Sequence, residues 1–188
     1  ELSRGIVAVS TIDGRQRTLT NFPLRINGKI PTNGWKLFSI DWFHQKPELV
    51  VDANICVPIR DAGACQETHQ TLLFSQDDSR VLALGAGAAV SPAGDQVAVV
   101  TKGSVVVIDA DKSNRRRITS IPPAAFWFPF VKEETFWSKI VWSPRGDRLL
   151  FNTIINEEFN SNLYLVDLKL GSRRRVLKNT SLQIIAWR

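Results

Sequence analysis

The chain has 188 residues, 44% of them apolar and 22% charged, enough to bury a sizeable core and too apolar for intrinsic disorder. Lys and Arg total 24 against 18 Asp and Glu, a net charge of +6 that favours acidic partners only weakly. No apolar run approaches the roughly 18–20 residues of a membrane-spanning helix. No signal-like segment opens the chain and methionine is absent even at position 1, as expected of a processed or trimmed chain.

Residues 6–20 (IVAVSTIDGRQRTLT) read as the back half of a strand-rich unit that recurs later. Ile40-Asp41-Trp42 and Glu48-Leu49-Val50-Val51 begin the next unit, with His44-Gln45-Lys46-Pro47 as their turn. Residues 54–70 read as a polar insertion that carries Cys56, Pro58, Gly63, Cys65 and His69. A second unit opens near 87–91, turns at Ser91-Pro92-Ala93-Gly94-Asp95 and ends on Arg115-Arg116-Arg117-Ile118. A long aromatic connection over 121–137 follows. The third unit opens at 139–142 and turns at Ser143-Pro144-Arg145-Gly146-Asp147. Its later strands are predicted at 148–152, 163–168 and 173–178. Ile184-Ile185-Ala186-Trp187 has the form of one more front strand.

These units are copies. The stretch from Val90 to Val99 returns 52 residues later as Trp142 to Phe151 (90 to 142), and Val107-Ile108-Asp109 returns as Leu165-Val166-Asp167. A fainter copy lies 100 residues before the third (40 to 140). Short strands repeating at about 45–52 residues are the pattern of a β-propeller blade. In each turn Pro sets φ and Gly is free to take positive φ. No segment carries an amphipathic helical stripe of ten or more residues, so the expected fold is all-β.

Trp-Ser-Pro-x-Gly followed by an apolar strand, then apolar-Tyr-apolar-apolar-Asp-Leu, a Gly turn and Arg-Arg-x-apolar resembles the TolB-like β-propeller repeat. Residues 142–177 carry the pattern nearly throughout. In residues 89–119, Ala89-Val90 replaces the aromatic before Ser91, and residues 41–82 lack the Ser-Pro-x-Gly turn. The resemblance implies four-stranded antiparallel blades at about 36–84, 87–120 and 138–180. Partial blades are expected at 1–22 and 182–188, with inner strands near 38–43, 87–91, 139–143 and 183–187. The whole then reads as a segment of a larger ring. It is specific for fold and weak for function, because one propeller scaffold hosts many activities.

Catalytic signatures are missing. There is no G-x-S-x-G elbow, no H-E-x-x-H and no P-loop, and Gly85-Ala86-Gly87 precedes a strand and not a helix. The two histidines, His44 and His69, have no carboxylate at metal-ligand spacing, so neither metal nor cofactor is expected. Arg145-Gly146-Asp147 occupies the repeat's own turn and is read as structural. Asn179-Thr180-Ser181 forms a sequon, which is read as a chance match. Cys56 and Cys65, the only cysteines, could close a nine-residue loop as a disulfide in an oxidising compartment.

Two surface features remain. Arg15 and Arg17, the Arg115, Arg116, Arg117 triplet and the Arg173, Arg174, Arg175 triplet each start an outer strand, so they form a basic rim. A solvated rim is its plainest role. An acidic protein or anionic membrane surface is the functional one, and the lack of interleaved aromatics argues against nucleic acid. The other feature is Phe126, Trp127, Phe128, Phe130 and Trp137, stiffened by Pro122, Pro123 and Pro129. These rings either fold down as a plug or present an apolar anchor to a partner. Blade topology puts them on the face of the Cys56–Cys65 insertion and of Glu157-Glu158-Phe159, opposite the arginine rim. The expected function is a non-catalytic interaction module in an extracytoplasmic or envelope-associated assembly with a protein partner. The alternatives are the propeller portion of a prolyl oligopeptidase-like peptidase and a ligand-binding propeller.

Overall fold

The computed structural model describes residues 5–9, 12–21, 35–43, 48–58, 65–75, 78–101, 103–111, 113–121, 139–154, 161–180 and 187. All regular structure among them is antiparallel strand, in three sheets. β1 (Gly5–Val9) and β2 (Gln16–Asn21) form a hairpin. A seven-stranded meander follows: β3 (Trp35–Trp42), β4 (Glu48–Pro58), β5 (Cys65–Ser75), β6 (Asp78–Val90), β7 (Gln96–Thr101), β8 (Ser104–Asp109) and β9 (Arg115–Ser120). The last sheet is the four-stranded meander β10 (Ile140–Trp142), β11 (Arg148–Ile154), β12 (Ser161–Asp167) and β13 (Arg173–Thr180).

β6 explains why two repeats form one continuous sheet. Its first half pairs with β5, from Ser75↔Asp78 to Gln70↔Leu84, and its second half pairs with β7 over Ala88–Val90. The register shifts between Gly85 and Ala88, where Gly87 takes φ 88°. Gly-Ala-Gly is therefore the bend through which one strand closes one unit and opens the next. Gly85 has a second reason to lack a side chain: a Cβ there would lie 2.2 Å from the Val100 carbonyl oxygen.

Side-chain alternation then decides the layers. Val97, Val99, Val106 and Ile108 pack with Phe43, Val50, Leu73 and Ala83 in one core. Their sequence neighbours Ala98, Val100, Val105 and Val107 pack with Ile140, Trp142, Leu149, Phe151, Tyr164 and Val166 in another. β7 and β8 are thus buried on both faces, which is why they read as unbroken apolar runs and do not alternate. Each fully buried Val, Leu or Phe contributes about 1.5–3 kcal/mol.

Polar bonds repeat with the sequence. The Ser91 hydroxyl donates to Asp95 (2.7 Å) and accepts from the Gln96 amide (3.1 Å). Ser143 does the same with Asp147 (2.7 Å) and the Arg148 amide (3.0 Å). Gly94 and Gly146 take φ 71° and 70° in these turns. The Ser143 hydroxyl, followed by the Asp147 backbone amide and then the charges of Arg148 and Arg145, holds the Asp147 carboxyl below the ordinary carboxylate range. Contacts between units are also polar in part: Trp142 Nε1 donates to Ala89 O (2.9 Å), and the Gly87 and Val90 amides donate to Asp52 (2.9 Å) and Asp41 (2.8 Å).

One expectation is corrected. Within the stretch expected as a polar insertion, residues 54–58 and 65–70 are strand. β4 runs on through Pro58 and β5 starts at Cys65, in unbroken register from Glu48↔Ser75 to Pro58↔Cys65. Pairs such as Ile55↔Thr68 and Val57↔Gln66 put β-branched residues across the ladder, which favours strand over loop.

Candidate functional site

The arginine triplets stand where the blade ladder puts them. The Ala110 amide donates to Asp95 O (2.7 Å), and the Leu168 amide to Asp147 O (3.0 Å). These bonds tie the turn before each outer strand to the Ser-Pro-x-Gly-Asp turn, so β9 and β13 both start at that end of their sheets. Arg115, Arg116, Arg117, Arg173, Arg174 and Arg175 are all exposed.

Register sorts them onto faces. Arg116 lies opposite Val107, while Arg115 and Arg117 lie opposite Ile108 and Val106, on the other face of the same sheet. Arg173 and Arg175 lie opposite Val166 and Tyr164, and Arg174 opposite Leu165. Both outer strands carry a bulge just past the triplet, at Ile118 and Val176.

Arg173 is anchored. Its guanidinium lies 5.1 Å from the centroid of the buried Tyr164 ring, a cation–π arrangement, and Nη1 donates to the Ser120 carbonyl of the neighbouring sheet. Tyr164 stacks on Phe151 at 5.3 Å and 21°. From the other side, Arg117 Nη2 donates to Ser120 Oγ (2.7 Å). Ser120 therefore collects an arginine from each of two sheets. Among the described residues no carboxylate ion-pairs with either triplet. Arg15 differs: it is paired with Asp13 at 3.1 Å and also bonds that carboxylate through its own amide. Arg17 lies on β2, opposite Ala8.

The other expected site residues are placed as follows. Phe126, Trp127, Phe128, Phe130 and Trp137 lie outside the described residues, as do His44, Glu157, Glu158 and residues 183–186 of the front strand expected at 183–187. In register, Cys56 stands opposite Glu67 and Cys65 opposite Pro58. His69 is opposite Asn54. Among the described residues no group of three or more His, Cys, Asp and Glu converges as a metal site would. No helix among them is long and apolar enough to cross a membrane.

One position was missed in the sequence. Arg80 lies opposite Leu73 on β6, and β6 carries its bulge at Leu82. That register matches Arg116 before Ile118 and Arg174 before Val176, so every described outer strand after β2 has an arginine two residues before its bulge. The signal was available as Arg-x-apolar after a β-hairpin, but a lone arginine without a triplet does not draw the eye.

No family model matches the chain, and no curated protein matches it. Solved structures do. A chain of the nidogen/laminin complex is 10% identical, with 88% of this chain and 53% of that one covered and a TM-score of 0.51. Oligogalacturonate lyase in complex with manganese is 17% identical over 94% of this chain and 47% of that one, TM-score 0.50. TolB from Acinetobacter baumannii is 14% identical over 82% and 48%, TM-score 0.41. The fold is a run of β-propeller blades. The chain spans about half the length of these propellers. Their diversity, a lyase beside a component of a nidogen/laminin complex, leaves the likeness at the level of fold.

Proposed function

We propose that these blades are a non-catalytic interaction module of a larger assembly, outside the cytoplasm, with a protein as partner. The observation that supports this best is the rim of exposed arginines on β9 and β13, without a carboxylate counter-charge among the described residues. Such a rim raises on-rate and salt dependence more than affinity. Affinity is assigned to the aromatic connection. Phe126, Trp127, Phe128 and Phe130 lie between Pro122-Pro123 and Val131, with Pro129 among them, and stiff aromatic segments lose little entropy when a partner immobilises them.

The test replaces Trp127 and Phe128 with Ser and follows partner retention beside thermal melting. An anchor loses association at least about tenfold, or 1.4 kcal/mol, at an unchanged Tm. A plug shows the reverse: Tm falls and association survives, and the proposed anchor is then withdrawn.

The extracytoplasmic part of the reading rests on a Cys56–Cys65 bridge. Thiol titration of the native protein is expected to find no free thiol. Two reactive thiols would remove both the bridge and the argument for an oxidising compartment.

A further inference from the structure

We propose that the outer groove between β9 and β13 binds an extended acidic polypeptide segment with carboxylates at alternate positions. This rests on the reading of the chain as an interaction module and names the chemistry of one partner element. The two sheets share the core that contains Val107, Tyr164 and Val166. Residues opposite one another in a ladder lie on the same face. Arg116, opposite Val107, therefore stands on the face of its sheet that looks toward the last sheet. Arg173 and Arg175, opposite Val166 and Tyr164, stand on the face that looks back. Apolar packing lies between the two sheets, and register places Arg116 on one side of it and Arg173 and Arg175 on the other.

Arg173 is held, not diffuse: it is fixed between the Tyr164 ring and the Ser120 carbonyl. Like charges gathered this way repel one another, and among the described residues no carboxylate relieves them. A guest anion would. Guanidinium groups take carboxylates as planar, bidentate pairs. Arg173 and Arg175 are two residues apart on one strand, about 6.6–7 Å. Carboxylates at alternate positions of an extended peptide have that same spacing. Single-stranded nucleic acid needs stacking platforms, and among the described residues the aromatic beside these arginines, Tyr164, is buried at 5% exposure.

The pattern recurs one groove earlier. Arg115 and Arg117 lie opposite Ile108 and Val106, and Arg80 lies opposite Leu73. Those three apolar partners share the other core. In register, β9 thus carries Arg115 and Arg117 on the side of that earlier core.

The experiment titrates the whole chain with a labelled peptide of alternating Asp and Thr, at physiological ionic strength, by fluorescence anisotropy. Arg116→Gln combined with Arg175→Gln is expected to weaken binding about tenfold or more, while Arg174→Gln, on the opposite face, changes it less than about twofold. Tm of each variant is measured alongside and is expected to stay at the parent value. Equal losses from Arg174→Gln would overturn the groove, because only the summed charge would then matter. Equal or tighter binding of single-stranded DNA or heparin, or no binding of the Asp–Thr peptide, would overturn the acidic-peptide assignment. None of these outcomes touches the Trp127 and Phe128 result, so failure of this proposal and failure of the interaction-module reading are told apart.

Discussion

Replacing Gly85 with Val is expected to prevent stable folding. A Cβ at this position would lie 2.2 Å from Val100 O and 3.0 Å from both Val100 C and Thr101 Cα. Those are backbone atoms of β7, held in register from Gly85↔Thr101 to Val90↔Val97 on one side and by the full β8 ladder on the other. They cannot swing aside as a flexible side chain would. Relief requires separating β6 from β7, and β6 is the strand that joins two blades. Overpacking in a core that can adjust costs about 1–3 kcal/mol; here the obstacle is backbone, so the loss exceeds about 3 kcal/mol out of a total of roughly 5–15 kcal/mol. Gly103→Ala is the matched control. Nothing lies within 4 Å of its Cβ, and only its φ of +78° is unfavourable, a cost of about 1–2 kcal/mol. Chemical denaturation followed by circular dichroism reads both. A Gly85→Val protein with a midpoint at or above that of Gly103→Ala would show that β6 and β7 do not approach as described.

The second large effect is expected at Phe151. Its side chain is fully buried, it lies between Ile140 and Tyr164 in register, and its ring stacks on Tyr164. Phe151→Ala leaves a cavity between two sheets and is expected to cost about 3–5 kcal/mol, of which about 0.5–1.5 kcal/mol is the ring pair itself. The denaturation midpoint should fall with the slope unchanged. A loss below about 1 kcal/mol would mean that the core relaxes around the gap. Phe151→Leu, which keeps most of the volume but not the stack, should lie between the two. The same substitution reaches the surface, because Phe151 supports Tyr164 and Tyr164 supports Arg173.

Local chemistry was legible without coordinates. Ser91-Pro92-Ala93-Gly94-Asp95 and Ser143-Pro144-Arg145-Gly146-Asp147 announce their turns because each residue acts on its near neighbours. Pro sets φ, Gly accepts φ near 70°, and the Ser hydroxyl bridges to Asp and the next strand's amide. The apolar runs of β7 and β8 announced strands buried on both sides. From these the all-β class and the recurrence of blades follow from sequence alone.

What depended on register required the tertiary structure. Composition made residues 54–70 look like a polar loop, yet cross-strand pairing extends the hairpin to Pro58 and Cys65. The arginine triplets were visible, but not which arginine faces which neighbour. A strand's side chains alternate, and the one-residue bulges at Leu82, Ile118 and Val176 shift that alternation. Sequence by itself determined that strands form, where they turn and that blades repeat, because those properties are set within a few residues. Only the tertiary structure decided that Arg116 on one sheet and Arg173 and Arg175 on the next stand in register on the side of their shared core, and that Arg80 holds the equivalent register position one blade earlier, because pairing between strands, and not local propensity, sets which face each residue occupies.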